Sequence, residues 1–280
     1  MKISKISIYP VKSLTAIDLS SSVVTPRGLR HDRRSMIVDA AGNLLSQREH
    51  PELATLHAEA DESAVVIKSN RDASTEWRLD GVEYAERRKV TVWTSQVEAV
   101  YAPEVINAWL SDYLGNPAFL VYMPEDSKRP INAKHNRGGE IVSFADGYPV
   151  LLTSSASLSE LNQRMGNPVE MERFRPNLVV EGADAFAEDE WKRIKIGAVT
   201  FRITKPCARC VVTTINQKTG EKEGMEPLKS LAAFRKAGDV YPDRYEQFGL
   251  APNDVLFGTN LVAETTRGSI SNGDSLEVLK

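Results

Sequence analysis

Two β-branched runs flank a pair of cysteines in residues 199–215, which read VTFRITKPCARCVVTTI. Runs rich in Val, Ile, Thr and Phe are typical of strands, so we predict strands over residues 199–203 and 211–215. The two thiols, Cys207 and Cys210, then lie between strands. This segment predicts a β-rich fold with chemistry-bearing side chains at strand ends.

Similar patterns occur on both sides of this segment. Short apolar or alternating runs predict strands at 36–38, 44–45, 64–68, 76–79, 89–93 and 276–279, a spacing typical of a barrel or sandwich. Pro103 and Gly115 are expected to bound a helix, Ser157 with Glu160 forms a capping-box pattern, and residues 226–236 suggest a third helix. The polar segment 124–142 is predicted to be a long loop that acts as a lid.

The composition limits the class of protein. Of 280 residues, 41% are hydrophobic and 26% charged, which is ordinary globular composition, and roughly 150 residues per domain predicts two domains. The net charge is −3, so the chain has no overall excess of basic residues that would indicate binding to nucleic acid. No apolar run reaches the roughly 18 residues of a membrane span, and the N-terminus lacks a signal-peptide pattern. We therefore expect a cytoplasmic protein that does not bind membranes.

The two cysteines leave several interpretations open. They are too few for a disulfide framework, a four-thiolate zinc site or a cysteine-ligated iron–sulfur cluster within this chain. Cys207 and Cys210 could be half of a zinc site, a redox pair or two inert buried thiols. Because Arg209 sits beside Cys210 and a cation stabilises a thiolate, the pair also suits a soft metal that takes one protein thiolate.

Cationic side chains form the second candidate feature. Lys12, Arg33, Arg175 and Arg209 can clamp a phosphate or carboxylate, although each alone is more often a solvated surface group. The sequence has no GxxxxGK[ST] loop, no GxGxxG after a strand, no GxSxG turn and no HExxH helix. A ligand with an anionic end and a metal–sulfur end would use both the cations and the thiol.

The ordered motifs resemble the MOSC family, the domain type of the C-terminal part of molybdenum cofactor sulfurase, and within it the YcbX-like and mitochondrial amidoxime-reducing component-like branch. The resemblance covers nearly the whole chain. Its motifs are YPVKS at 9–13, FADGYP at 144–149, FRPN at 174–177, CARC at 207–210 with TT at 213–214, EPL at 226–228 and FGTN at 257–260.

The resemblance implies a molybdenum cofactor, a molybdopterin that carries the metal and a terminal phosphate. It implies that Cys210 is the metal ligand and the catalytic residue, and that Cys207 is not a ligand. The positions that match the family around the cofactor are Lys12, Ser13, Arg33, Gly147, Tyr148, Arg175, Asn177 and Arg209.

The implied fold is β-rich α+β, with an N-terminal MOSC-type β-barrel domain over 1–102, a MOSC β-barrel with peripheral helices over 103–280, and the cofactor between them. The implied reaction is the two-electron reduction of N-hydroxylated compounds by a monomer. Relatives can carry a C-terminal ferredoxin domain, which this chain lacks, so electrons are expected from a separate reductase or ferredoxin. The alternatives are a non-catalytic carrier of the cofactor or its sulfur, and a thiol–disulfide protein.

Overall fold

The structure, a computed structural model, describes residues 1–60, 65–69, 76–78 and 86–280. Strands predominate in it. They are β1 (Lys2–Ile8), β2 (Ile17–Leu19), β3 (Ser21–Thr25), β4 (Gly28–Leu29), β5 (Ser35–Val38), β6 (Leu56–Ala60), β7 (Val65–Ser69), β8 (Glu76–Arg78), β9 (Glu86–Val92), β10 (Ser95–Tyr101), β11 (Phe119–Tyr122), β12 (Val150–Ser154), β13 (Leu178–Glu181), β14 (Arg193–Ile196), β15 (Val199–Ala208), β16 (Leu256–Ala263), β17 (Ser269–Ser271) and β18 (Leu276–Leu279).

The helices are short and lie between the strands. The α-helices are α1 (Glu104–Leu114), α2 (Ser155–Gln163), α3 (Leu228–Ala232) and α4 (Ala237–Val240). Single 3₁₀ turns occupy Pro51–Thr55, Met171–Phe174, Ala187–Asp189, Val211–Thr214 and Tyr245–Phe248.

The largest sheet joins strands from both ends of the chain, in the order β18-β14-β15-β16-β12-β13-β1-β2. β12 and β13 run parallel with α2 between them, and the other neighbours are antiparallel. Backbone bonds from Ile3 N to Asp274 O and from Leu276 N to Met1 O join the segment before β18 to β1. The sheet therefore curls back on itself, and the predicted β-rich α+β class is confirmed.

The core of this sheet depends on β1. Ile3, Ile6 and Ile8 are at most 1% exposed and pack against apolar side chains of the neighbouring strands. Full burial of one such side chain contributes roughly 1.5–3 kcal/mol. Gly258 in β16 has φ +75°, and a Cβ there would lie 2.7 Å from the carbonyl oxygen of Leu152, so glycine is required for this close approach of β16 to β12.

Strand pairing crosses the predicted boundary at residue 102 in both directions. β1 and β2 lie in the large sheet, and β3 pairs with β17 near the C-terminus. In the other direction, β11 follows the boundary but pairs with β5 and β10 in the sheet β5-β11-β10-β9. The division into 1–102 and 103–280 stays a prediction, and the two regions share their sheets.

The helix prediction was confirmed for both ends of α1 and was wrong for the start of α2. α1 begins directly after Pro103 and ends before Gly115, whose φ is +67°, as predicted. α2 is capped instead by Ser154, whose hydroxyl accepts a bond from Ala156 N. The predicted cap, Ser157, lies inside α2 and donates its buried hydroxyl to Glu188. The region 226–236 holds only the short helix α3.

The segment 124–142 is held in place by its own contacts. Ile131 and Val142 are buried in a small core, and Ile131 N bonds to the carbonyl of Glu140. The carboxylate of Glu140 in turn accepts a bond of 2.8 Å from Arg202 in β15. No residue of 124–142, all of which are described, lines the cleft presented below, so the lid interpretation was wrong.

Candidate active site

One cleft brings together every residue that the sequence predicted for the site. It lies where the N-terminal region meets the end of β15, has a cavity volume of about 130 Å³ and opens to solvent. The predicted residues that line it are Lys12, Ser13, Arg33, Gly147, Tyr148, Arg175, Asn177, Arg209 and Cys210.

Strained backbone is concentrated at this cleft. Four lining residues other than glycine have positive φ: Ser13 at 75°, Arg33 at 47°, Trp93 at 55° and Arg175 at 54°. Such conformations cost about 1–3 kcal/mol each and persist where the surrounding structure compensates. The clustering indicates that the fold gives up local stability in order to place these side chains.

A buried tyrosine ring supports two of the arginines. Tyr9 is 2% exposed, and the guanidinium carbons of Arg33 and Arg175 lie 4.2 and 4.3 Å from its ring centroid. Burial raises the pKa of Tyr9 to about 12, so the ring stays neutral. Burial, with the nearby charge of Arg33, lowers the pKa of Arg175 to about 10, which still leaves it cationic at neutral pH. Cation–π attraction to Tyr9 offsets part of the repulsion between the two arginines.

A buried carboxylate, Asp32, orients one of these arginines, Arg33. Asp32 accepts hydrogen bonds from Tyr9 N at 2.8 Å, from Arg33 Nη1 at 2.8 Å and from Asn177 Nδ2 at 3.0 Å. Arg33 Nη2 also donates to the backbone carbonyl of Arg175. Because Asp32 is only 2% exposed, it acts from behind the cleft wall.

Asn177 lines the cleft but uses its amide within the protein. Its Nδ2 donates to Asp32 and to a carbonyl of β1, and its Oδ1 accepts from an N–H of β12 and from Arg33. An asparagine amide has two donor hydrogens and two acceptor lone pairs, and all four are occupied. Asn177 is therefore placed to hold Arg33 in position.

Lys12 meets a carboxylate and an indole in the cleft. Its Nζ lies 2.5 Å from Asp146 Oδ1, which also accepts a bond of 3.0 Å from Trp93 Nε1. Burial lowers the pKa of Lys12, whereas the contact with Asp146 raises it. Desolvation raises the pKa of Asp146, but the charge and hydrogen bond of Lys12 outweigh it and hold that pKa well below its usual range. Asp146 is thus a carboxylate at neutral pH, and its side chain keeps 75% of its accessible area.

The loop that carries Asp146 is fixed from below by a buried arginine. Arg129 donates to the backbone carbonyls of Ser143, Ala145 and Asp146 at 2.6–2.9 Å. Three such bonds from one rigid guanidinium fix the path of the main chain. Through Arg129, the segment 124–142 therefore fixes the loop that carries Asp146, although no residue of the segment lines the cleft.

The two cysteines are free and half-buried, and they differ in their contacts. Arg209 Nη1 donates to Cys207 Sγ at 3.0 Å, and its Nη2 donates to the carbonyl of Phe174 at 2.6 Å. The sequence had placed this arginine beside the thiol of Cys210, but its hydrogen bond goes to the other thiol. The Nε of Arg209 is buried without a hydrogen-bond partner in the structure.

The chain turns directly after Cys210. Residues Val211–Thr214 form a 3₁₀ turn, so the strand predicted over 211–215 was wrong. The threonine hydroxyls explain the difference: Thr213 Oγ1 donates to Cys210 O at 3.0 Å, and Thr214 Oγ1 donates to Val211 O at 2.7 Å. Local bonds of this kind compete with pairing in a sheet and override the β-branched preference.

Gly147 and Tyr148 form a further part of the lining. A Cβ on Gly147 would meet no heavy atom within 4 Å, so a ligand can approach this backbone closely. Tyr148 packs edge-on against His135, with ring centroids 5.8 Å apart. Burial raises the pKa of Tyr148 to about 12, so its hydroxyl stays protonated at neutral pH.

Sequence reasoning missed several lining residues. Trp93 was predicted as the last residue of a strand over 89–93, whereas the structure places it in the two-residue turn between β9 and β10. Asp146 lay inside the FADGYP motif, and Ser46, Gln47 and Arg48 follow the predicted strand at 44–45 without any pattern of their own. The lining residues that were missed include Ser46, Gln47, Arg48, Trp93, Asp146, Phe174, Thr213 and Asn260.

Two other kinds of site are absent from the described ranges of the chain. No group of three or more His, Cys, Asp or Glu side chains could hold a metal ion there. None of the helices described is both long and apolar enough to cross a membrane.

The strand-rich fold agrees with comparisons to known families. The model described as "MOSC N-terminal beta barrel domain" matches residues 1–117, and "MOSC domain" matches residues 139–277. The chain belongs to the MOSC family.

Named relatives extend this result. Mitochondrial amidoxime-reducing component 1 of Homo sapiens is 28% identical over 285 residues, covering 99% of this chain and 82% of that protein. The Xenopus laevis protein of the same name is 28% identical over 97% of this chain and 80% of its own length. Molybdenum cofactor sulfurase of Oryza sativa subsp. japonica is 28% identical over 92% of this chain and 33% of that protein. Among solved structures, the YUAD protein of Bacillus subtilis covers 98% of this chain and 93% of its own, with 11% identity and a TM-score of 0.40.

Proposed function

We propose that this chain is a molybdenum-cofactor-dependent oxidoreductase that reduces N-hydroxylated compounds with electrons from a separate donor protein. One observation carries the proposal: a single cleft combines a free thiol with five cationic side chains, in a protein of net charge −3. The charged groups of the cleft are Lys12, Arg33, Arg48, Arg175 and Arg209 against the single carboxylate Asp146.

The residues present fit the cofactor. Cys210 is a free, half-buried thiol, the type of ligand that a soft metal takes. Arg209 has a buried Nε without a partner, which an anionic or sulfur acceptor would satisfy. Gly147 leaves open space at its Cα, where a flat group can lie against the backbone. When bound, this group would supply a metal that accepts oxygen and exchanges two electrons.

The side chains of the protein would divide the remaining work. Cys210 would hold the metal as a thiolate, and Arg33 and Arg175 would bind the anionic end through guanidinium groups already oriented by Tyr9. Lys12 would contribute a further cation, with Asp146 limiting the net charge when no anion is bound. Because these groups are ordered before binding, little side-chain entropy is lost on association.

Metal content tests the proposal most directly. We expect near-stoichiometric molybdenum, by elemental mass spectrometry, in wild type from a cofactor-producing host or after reconstitution, and severalfold less in Cys210→Ala. Cys207→Ser is the matched control, because it keeps a polar acceptor for Arg209, and it should retain the metal. Equal molybdenum in wild type and Cys210→Ala, or none in wild type after reconstitution, would contradict the proposal.

A second candidate function rests on the similarity to molybdenum cofactor sulfurase. In that case the chain would bind or deliver the cofactor or its sulfur without turnover. The two functions differ in one assay, because a reductase consumes an N-hydroxylated substrate when a chemical electron donor is supplied and a carrier does not. The same experiment with candidate reductases or ferredoxins would identify the donor. Cytoplasmic location and a monomeric state belong to the same proposal.

A further inference from the structure

Trp93 occupies a backbone position that does not suit a tryptophan. Val92 pairs with Ser95, so strands β9 and β10 are joined by the two residues Trp93 and Thr94. Trp93 has φ +55°, a conformation that two-residue hairpin loops normally assign to Gly, Asn or Asp. A bulky side chain there is a genuine outlier, and such outliers concentrate at functional sites.

Packing in a core does not explain this choice. Trp93 is 38% exposed and lines the cleft, in contrast to the buried side chains Val92 and Val97 of the same hairpin. A hydrogen bond from its Nε1 to Asp146 fixes one edge of the indole. A smaller side chain with a donor group could make that bond. The bond therefore does not explain why a large aromatic ring is exposed in the cleft.

The ring is presented together with a second flat group. The guanidinium carbon of Arg48 lies 4.3 Å from the Trp93 ring centroid, and Lys12 Nζ lies 5.4 Å from it. A guanidinium that covers one face of an indole adds a second flat layer to it, and a planar ligand can stack on an outer face of this pair. Flat aromatic ligands stack on such surfaces, whereas small aliphatic ones gain little from them.

We propose that Trp93 and Arg48 form a stacking wall that makes the cleft prefer planar aromatic N-hydroxylated substrates over aliphatic ones. This inference rests on the proposed reductase function. It assigns to the β9–β10 hairpin, in the N-terminal region, the choice of substrate at a site whose thiol comes from the C-terminal region.

The test compares benzamidoxime with acetamidoxime, an aryl and an alkyl substrate that share the same reacting group. Wild type should show a lower KM for benzamidoxime. In Trp93→Gly that preference, as a ratio of KM values, should fall about tenfold, whereas Trp93→Phe should keep most of it because the ring remains. Arg48→Leu, which leaves the turn intact, should lower the preference severalfold.

The stability of the variants separates a binding role from a structural one. Because glycine adopts positive φ without strain, Trp93→Gly should melt at the same temperature as wild type or higher. Arg267→Gly is the matched control: Arg267 is exposed, has φ +85° and does not line the cleft, so the substitution should relieve strain without changing the substrate preference.

Each contrary outcome has its own meaning. An unchanged preference in folded Trp93→Gly and Arg48→Leu would overturn the stacking wall while leaving the reductase function intact. Trp93→Gly could also lose part of its molybdenum while the loaded fraction keeps the wild-type ratio of KM values. That result would overturn the stacking wall too, because the indole would then hold the cofactor. If Trp93→Gly failed to fold, the ratios of KM values measured for Arg48→Leu and Trp93→Phe would test the stacking wall instead. If molybdenum-loaded wild type reduced neither substrate, the proposed function would fail and the stacking wall with it.

Discussion

At the scale of single residues, Tyr9 is buried and yet contacts several of the groups that form the site. Its ring contacts both Arg33 and Arg175, and its backbone N–H bonds to Asp32, which in turn holds Arg33. The two arginines are cations in unfavourable backbone conformations close to each other. The neutral π face of Tyr9 lies against both guanidinium groups and attracts both.

Replacing Tyr9 therefore tests whether the arginine pair is organised before binding. We expect Tyr9→Leu to weaken the binding of inorganic phosphate, measured by isothermal titration calorimetry, by about tenfold, which corresponds to roughly 1.4 kcal/mol and to one or two lost cation–π contacts. Tyr9→Phe keeps the ring and should bind within about twofold of wild type.

Tyr241 provides a matched control for this prediction. It is also buried, donates its hydroxyl to a backbone carbonyl and has Arg244 4.8 Å from its ring, but it does not line the cleft. Tyr241→Leu should lose comparable stability and keep the phosphate affinity of wild type. Wild-type affinity in folded Tyr9→Leu would show that the arginines do not depend on the ring.

At the scale of elements, the 3₁₀ turn Val211–Thr214 decides how Cys210 is presented. The carbonyl of Cys210 accepts bonds from both the backbone N–H and the hydroxyl of Thr213. If residues 211–215 formed a strand, the chain would continue straight past the cleft. The turn instead redirects it, and Cys210, two residues after the end of β15, stays at the cleft wall.

Removing one hydroxyl should loosen this turn without unfolding the protein. Thr213→Val keeps the side-chain shape and loses one hydrogen bond, so we expect about 1 kcal/mol less stability in urea and a faster loss of molybdenum during dialysis. Thr204→Val loses a comparable bond, from Thr204 Oγ1 to a carbonyl of β16, and should lose stability alone. Equal metal loss from both variants would contradict a specific role for the turn.

The same elements show what sequence can and cannot predict here. The helix bounded by Pro103 and Gly115 was predictable, because its signals act within a few residues. The turn after Cys210 and the start of α2 were not, because hydroxyls of Thr213, Thr214 and Ser154 outweigh β-branching and a false capping box. The cations and thiol of the cleft were accessible through motifs, whereas Trp93 and Arg48 depend on how a hairpin and a loop meet in space.

At the scale of the whole molecule, the two predicted regions, 1–102 and 103–280, do not fold around separate sheets. β1 lies between β13 and β2 in the large sheet and leads directly into Tyr9 and Lys12. β11 lies in the N-terminal sheet although it follows residue 102. A displacement of β1 would therefore disturb the core of the large sheet and the cleft together. Shared strands of this kind couple folding of the scaffold to the geometry of the site.

This coupling predicts that the protein unfolds in one cooperative transition. Trp109 in α1 packs against the core that contains Ile37 of β5 and Leu120 of β11, and Trp191, before β14, lies in the core of the large sheet. Two variants that keep Trp109 or Trp191 as the only one of the four tryptophans of the chain therefore give independent fluorescence probes. Their urea midpoints should coincide, because neither sheet keeps its core without strands from the other region. Ile6→Ala in β1 should lower both midpoints by the same amount, reflecting a loss of about 2–5 kcal/mol. Two separate transitions, or a shift of the Trp191 midpoint alone, would mean that the regions fold independently and that the cleft is assembled only when they dock.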